Sequence, residues 1–171
     1  MMRNGAQVAD NLRLLISSSK GVSYVEARYQ SRVASEVNFI NGELERIRVV
    51  ENSGCGIRVL VDGCWGFSST SNISNDTLKE SLDHAIAAAR TLARAKKNKV
   101  KGLIESKMIR GTFSTSASSD NLSEVNIEQK VQVAKEAEKE ARSNKVVKTA
   151  SCTYRDMLDH KVFINSDGAD F

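Results

Sequence analysis

The side chains best suited to chemistry are few and scattered. The two histidines, His84 and His160, lie far apart in the chain, and neither stands in an HExxH or comparable metal-ligand spacing. His84, between Leu82 and Ala85, reads as a packed or partly exposed helix residue, and His160 as a surface residue in a hairpin loop. Cys55, Cys64 and Cys152 form no CxxC pair, and an odd number of thiols fits a reducing cytosol. Cys55 stands between Gly54 and Gly56, where exposed backbone amides would favour a thiolate, yet no histidine neighbours it in sequence to act as a base. The plainer role for Cys55 is a small buried residue at a strand bulge. Gly54-Cys55-Gly56 is not a phosphate-binding loop, because it precedes a strand rather than a helix. Glu43, Glu45 and Glu51 recur at strand spacing, as on any wet sheet face. Trp65 and Phe67 offer rings on which a ligand could stack, with core packing as the alternative. Residue types and spacing alone therefore assemble no complete catalytic constellation.

Most of these residues belong to, or follow closely on, one strand-rich stretch, Asn41 to Phe67. Asn41-Gly42 and Asp62-Gly63 punctuate runs of apolar and β-branched residues, the strongest short-range hairpin signal. A two-residue turn at Asn41-Gly42 places Phe39 opposite Leu44 and Val37 opposite Arg46, which leaves Ile47 and Val49 off the Phe39 face unless a bulge intervenes. Around Asp62-Gly63, Leu60 pairs with Trp65 and Val59 with Gly66. Both faces there are apolar, so this hairpin is expected at the centre of a sheet, covered on both sides.

Helices supply the cover. Val8, Leu12, Leu15 and Ile16 form one stripe of a helix ending near Lys20. Val22 to Val33 alternates as a half-buried strand, with Glu26, Arg28 and Gln30 on the wet side. Thr77 and Glu80 suggest a capping box opening a helix whose stripe runs from Leu78 to Ala93. A second helix is expected from about Ser123 to Ser143, with Ile127, Val131, Ala134, Ala137 and Ala141 buried and Glu138 paired to Arg142. Lys145–Tyr154 and Lys161–Asn165 read as two strands joined by a loop, followed by a turn at Ser166-Asp167-Gly168. The class is α+β, a mainly antiparallel sheet of hairpins with long helices packed on it. The expected division is an α+β domain over residues 1–100, a Ser/Thr-rich linker over 101–122, and a helix-plus-hairpin segment over 123–171, truncated at its C-terminus.

Composition excludes little. At 171 residues with 40% hydrophobic content, the chain can bury a core. No apolar run approaches the ~20 residues of a membrane span, and Met1–Ser19 is amphipathic rather than a signal peptide. Net charge is +4, with one basic cluster from Arg90 to Lys101. No aromatic residue is interleaved with it, so a solvated helix end accounts for it better than a nucleic-acid patch.

The residues that identify the chain are Tyr24-Val25-Glu26-Ala27-Arg28, Asn41-Gly42-Glu43, Ser53-Gly54-Cys55-Gly56-Ile57-Arg58-Val59, Asp62-Gly63-Cys64-Trp65-Gly66-Phe67-Ser68-Ser69-Thr70, and Asn165-Ser166-Asp167-Gly168. With the Ala-rich helix from Leu82 to Ala93, they resemble the N-terminal region of the TldD/PmbA family. The resemblance implies a cytoplasmic zinc metallopeptidase, a homo- or heterodimer that degrades or processes unfolded peptides; an older label is modulator of DNA gyrase. It implies zinc held by an HExxxH helix and a later cysteine, with the motif's glutamate as general base for a zinc-bound water. Those elements follow the region matched here, and neither the histidines nor the cysteines of this sequence match them. The chain itself is expected to hold no zinc and no catalytic residue. Asn41, Gly42, Gly54, Gly56, Arg58, Asp62, Gly63, Trp65, Gly66 and Phe67 are left as a peptide-binding or structural motif. Their expected work is scaffold, substrate cleft and dimer contacts, with a non-catalytic partner subunit as the alternative and a nucleic-acid-associated protein less favoured.

Overall fold

The computed structural model describes residues 5–114, 122 and 124–171. Among them run α1 (Gly5–Ser18), β1 (Tyr24–Ile40), β2 (Glu43–Val61), β3 (Cys64–Thr70), α2 (Asn75–Ala95), α3 (Ile127–Ala141) and β4 (Ser151–Asn165). The strands form a four-stranded sheet in the order β3-β2-β1-β4. It is antiparallel: β2 and β3 pair from Val61↔Cys64 out to Cys55↔Thr70. Side-chain contacts from β1 to β4 run Arg32–Asp159, Glu36–Arg155, Asn38–Thr153, one number rising as the other falls. The fold is thus α+β. The chain divides into two compact units, one of Met1–Ser31, Ser53–Ser114 and His160–Phe171, the other of Arg32–Asn52 and Thr115–Asp159.

The first unit owes its core to two matching periodicities. Val25, Ala27 and Tyr29 of β1 and Ile57, Val59 and Val61 of β2 recur every second residue on one face. Onto the same core α1 brings Val8, Leu12 and Leu15, and α2 brings Leu78, Leu82, Ala85 and Ala89. Leu12, Ile57 and Leu78 are fully buried, each contributing roughly 1.5–3 kcal/mol. The α2 helix packs on β3 so closely that a Cβ on Gly66 would collide with the Ala85 carbonyl oxygen and lie 2.9 Å from the Ala89 nitrogen. Its N-cap is Ser74, whose hydroxyl accepts from the Thr77 N–H, so the helix starts earlier than the Thr77–Glu80 pattern predicts.

The Asp62-Gly63 hairpin has the expected register, Leu60↔Trp65 and Val59↔Gly66. Its position differs from expectation. β3 is an edge strand and Phe67 is 63% exposed, because β1 and β4 add to the other side of β2. The Gly54-Cys55-Gly56 segment does not break the chain; β2 runs unbroken from Glu43 to Val61. Likewise β1 is one strand, since nothing between Gly21 and Gly42 supplies a Gly or Pro to interrupt it.

In the second unit α3 packs on β1 through Ala134, Val37 and Phe39. The helix is capped by Asn126, with a reciprocal capping box to Gln129. The expected start at Ser123 and much of the Ser/Thr-rich stretch, residues 115–121, lie outside the described residues. The buried stripe of α3 is Lys130, Ala134 and Glu138, while Ala137 and Ala141 are exposed. Two charged residues displaced the alanines because both find partners. Lys130 Nζ is 2.8 Å from Asp156 and 3.0 Å from Ser35 Oγ. Glu138 accepts from the Gly42 N–H at 3.0 Å and from Arg142 Nε at 3.1 Å. Where a loop was expected over Arg155–His160, β4 continues from Ser151 to Asn165. Its polar residues read as loop-like but are paired across the sheet, Arg155 with Glu36 and Asp159 with Arg32.

Candidate functional site

Within the first unit, the residues between the core positions of each strand point to the sheet face away from α1 and α2. Glu26 organises that face. It is 4% exposed, not on a wet surface as its alternation predicts. Its carboxylate accepts from Tyr24 Oη at 2.6 Å and from Arg28 Nε at 3.1 Å, and pairs with Arg58 Nε at 3.0 Å. Each guanidinium also covers an aromatic ring: Arg58 lies 4.7 Å from the Trp65 centroid and Arg28 4.8 Å from that of Phe163. Tyr24 meets Trp65 edge-on at 5.8 Å. Asn165 Nδ2 donates to Tyr24 Oη at 3.3 Å, and its Oδ1 accepts from the Ala169 N–H at 2.8 Å, holding the Ser166-Asp167-Gly168 turn. Phe67 extends the row over Gly56, where a Cβ would lie 3.2 Å from its ring.

The face is suited to recognition rather than proton transfer. Burial, and then the hydrogen bond to Glu26, push the Tyr24 hydroxyl up to about 12, so it remains a neutral donor at neutral pH. Two guanidinium groups compensate the one carboxylate. Both arginine side chains are substantially exposed, so their remaining N–H groups face solvent beside the Trp65 and Phe163 rings. Such a surface offers N–H donors and aromatic rings to a ligand.

Of the ten sequence-nominated residues, Gly56, Arg58, Trp65 and Phe67 meet on this face. Gly54 and Gly66 are close-approach positions, against the Thr70 carbonyl and α2 respectively. Asp62 (φ 50°) and Gly63 (φ 74°) form a turn with both residues left-handed, as do Asn41 (φ 51°) and Gly42 (φ 88°). The latter turn belongs to the second unit, where Asn41 exchanges hydrogen bonds of 3.0 Å with the Ala150 backbone. Sequence reasoning missed Tyr24, Glu26, Arg28, Phe163 and Asn165 as one cluster. Their signal was present in the every-other spacing Tyr24-x-Glu26-x-Arg28, but a charged residue at such a spacing looks solvated.

Cys55 is buried, which pushes its thiol up to about 12 and leaves it unreactive at neutral pH. His84 is exposed on α2. His160 is a half-buried strand residue rather than a loop residue, its ring 6.2 Å from that of Tyr29. A Cβ on Gly5 would lie 2.8 Å from the same imidazole. Among the described residues no group of three or more His, Cys, Asp or Glu could hold a metal ion, so those residues do not fit a peptidase metal.

Comparison with known proteins identifies the lineage. Residues 25–106 match PmbA/TldA metallopeptidase domain 1, and residues 120–171 match the PmbA/TldA metallopeptidase central domain. The chain belongs to the PmbA/TldD metallopeptidase family. A metalloprotease of Methanocaldococcus jannaschii is 21% identical over 151 residues, covering 85% of the chain and 32% of that relative. Three crystal structures share the fold. A candidate modulator of DNA gyrase from Bacteroides thetaiotaomicron has a TM-score of 0.77 at 17% identity, over 100% of the chain and 39% of its own. One from Thermotoga maritima has a TM-score of 0.72 at 20% identity, over 98% and 36%. TldE from Thermococcus kodakarensis has a TM-score of 0.71 at 14% identity, over 98% and 36%. The PmbA/TldD chain described here therefore spans about a third of the length of these relatives. No helix among the described residues is long and apolar enough to cross a membrane.

Proposed function

We propose that these residues form the first and central portions of a zinc metallopeptidase acting on unfolded peptides in the cytoplasm. They supply scaffold, part of the substrate cleft and dimer contacts, while the metal ligands lie elsewhere in the polypeptide. Family membership supports a metallopeptidase that acts on peptides. The observation that carries the local role is the Arg58–Trp65–Phe67 row on the sheet face away from α1 and α2, with both rings borne by the edge strand β3. An extended peptide can add to such an edge by main-chain hydrogen bonds while its alternate side chains meet the row.

The test is steady-state cleavage of an unstructured peptide by a polypeptide extended to the length of its relatives. Arg58→Ala with Trp65→Ala is expected to raise KM severalfold and leave kcat nearly unchanged, the pattern of lost uniform binding. A fall in kcat at constant KM would contradict a recognition role. An extended polypeptide that binds peptide through this face but carries no metal would instead be a non-catalytic partner subunit.

A further inference from the structure

A second feature of the first unit lies at the other end of the Asp62-Gly63 hairpin. A cavity of about 470 Å³ is lined by Asp62, Arg90, Ala93, Arg94 and Lys99. Arg90 and Arg94 are four residues apart on α2, so they share a helix face, where like charges repel. Lys99 is fixed by the chain around it: the Val100 N–H donates to the Gly63 carbonyl at 2.8 Å, and Lys99 Cβ is seated against Gly63. The Arg90 guanidinium extends to the turn after α1, where a Cβ on Gly21 would lie 3.8 Å from its Nη2.

None of these three cations has an ion-pair or hydrogen-bond partner among the described residues. Arg13, Arg28, Arg32, Arg58, Arg142 and Arg155, by contrast, all meet carboxylates. The helix dipole accounts for a cation in the last turn, as at Arg94, but its influence fades before Arg90. Three cations against the single Asp62 carboxylate leave this cavity an excess of positive charge that an anionic ligand would neutralise.

We propose that this cavity binds a phosphoryl group carried on a small, hydroxyl-bearing body such as a sugar phosphate. Arg90, Arg94 and Lys99 take the phosphoryl oxygens, the arginines as forked donors. The carboxylate of Asp62 repels a second anionic group and accepts from a hydroxyl of the body. The volume falls within the ~300–1,000 Å³ of small-molecule sites. The charges converge on one hollow with no ring to stack bases, which favours a compact ligand over a nucleic-acid strand.

The test is calorimetric titration of the 171-residue chain, at fixed ionic strength, with ribose 5-phosphate, inorganic phosphate and ribose. Ribose 5-phosphate should bind saturably and ribose should not. The Arg94→Gln, Lys99→Gln protein, with its circular dichroism unchanged, should bind ribose 5-phosphate at least about tenfold more weakly. Asp62→Asn should keep phosphate binding and lose the preference for ribose 5-phosphate over inorganic phosphate. The proposal is overturned if neither phosphate probe saturates below about 10 mM, if the double variant binds as the native chain does, or if the preference survives Asp62→Asn. Tighter binding of short single-stranded DNA through the same residues would overturn it in favour of a polymer.

Discussion

Lys130 is 7% exposed, and its ammonium exchanges water for Asp156 at 2.8 Å and Ser35 Oγ at 3.0 Å. Lys130→Ala would leave the Asp156 carboxylate buried without its cation, and it should cost ~3–5 kcal/mol in urea unfolding. Burial alone would raise the Asp156 carboxyl, but hydrogen bonds from Lys130, Tyr154 and Ser35 outweigh it and hold the group below its usual value. A carboxyl depressed on folding stabilises the native state above its unfolded value of ~3.9 and loses that contribution as pH falls through the folded value. Stability should therefore decline below about pH 4, and the acid limb should be shallower in Asp156→Asn; an unchanged limb would show that the pair contributes nothing. In the first unit Asp170, held low by Arg13, adds to the same limb. Neither Lys130 nor Glu138 is legible as a buried residue from hydrophobic pattern, because a charge at helical spacing is ordinarily solvated.

At the scale of elements, the sequence was most legible where backbone chemistry is local. Asn41-Gly42 and Asp62-Gly63 fold as two-residue turns because both central residues must take positive φ. The stripes of α1 and α2 pack on the core as their spacing predicts, except that Leu92, expected in the α2 stripe with Leu78 and Ala93, is exposed near the helix end. Boundaries were illegible where they depend on partners from distant parts of the chain. The run from Arg155 to His160 resembles a loop in isolation and is a strand because Glu36 and Arg32 answer its charges. Ile47 and Val49 needed no rescue by a bulge to reach the core, since they remain exposed on β2. Gly66 offers the sharpest element-scale test. Its neighbours are backbone atoms of α2, which cannot swing away, so Gly66→Ala should destabilise the chain by ~1–3 kcal/mol through overpacking. Gly102→Ala, with open space around it, should change stability little in the same thermal or urea measurement.

For the whole molecule, the family motif proved to be distributed rather than concentrated. Part of it builds turns and close contacts, and part of it, Arg58, Trp65 and Phe67, shares one sheet face with the buried Glu26 carboxylate. The row was only half legible. Strand alternation identifies which residues share a face, whereas a buried carboxylate between two arginines depends on β1 and β2 arriving together. On this reading the chain recognises peptide and leaves the metal to other residues. Elemental analysis of the purified, untagged chain, alongside a polypeptide extended to the length of its relatives, tests this most directly. Stoichiometric zinc and peptide cleavage are predicted in the extended polypeptide alone, and stoichiometric zinc in the 171-residue chain would contradict the division of labour.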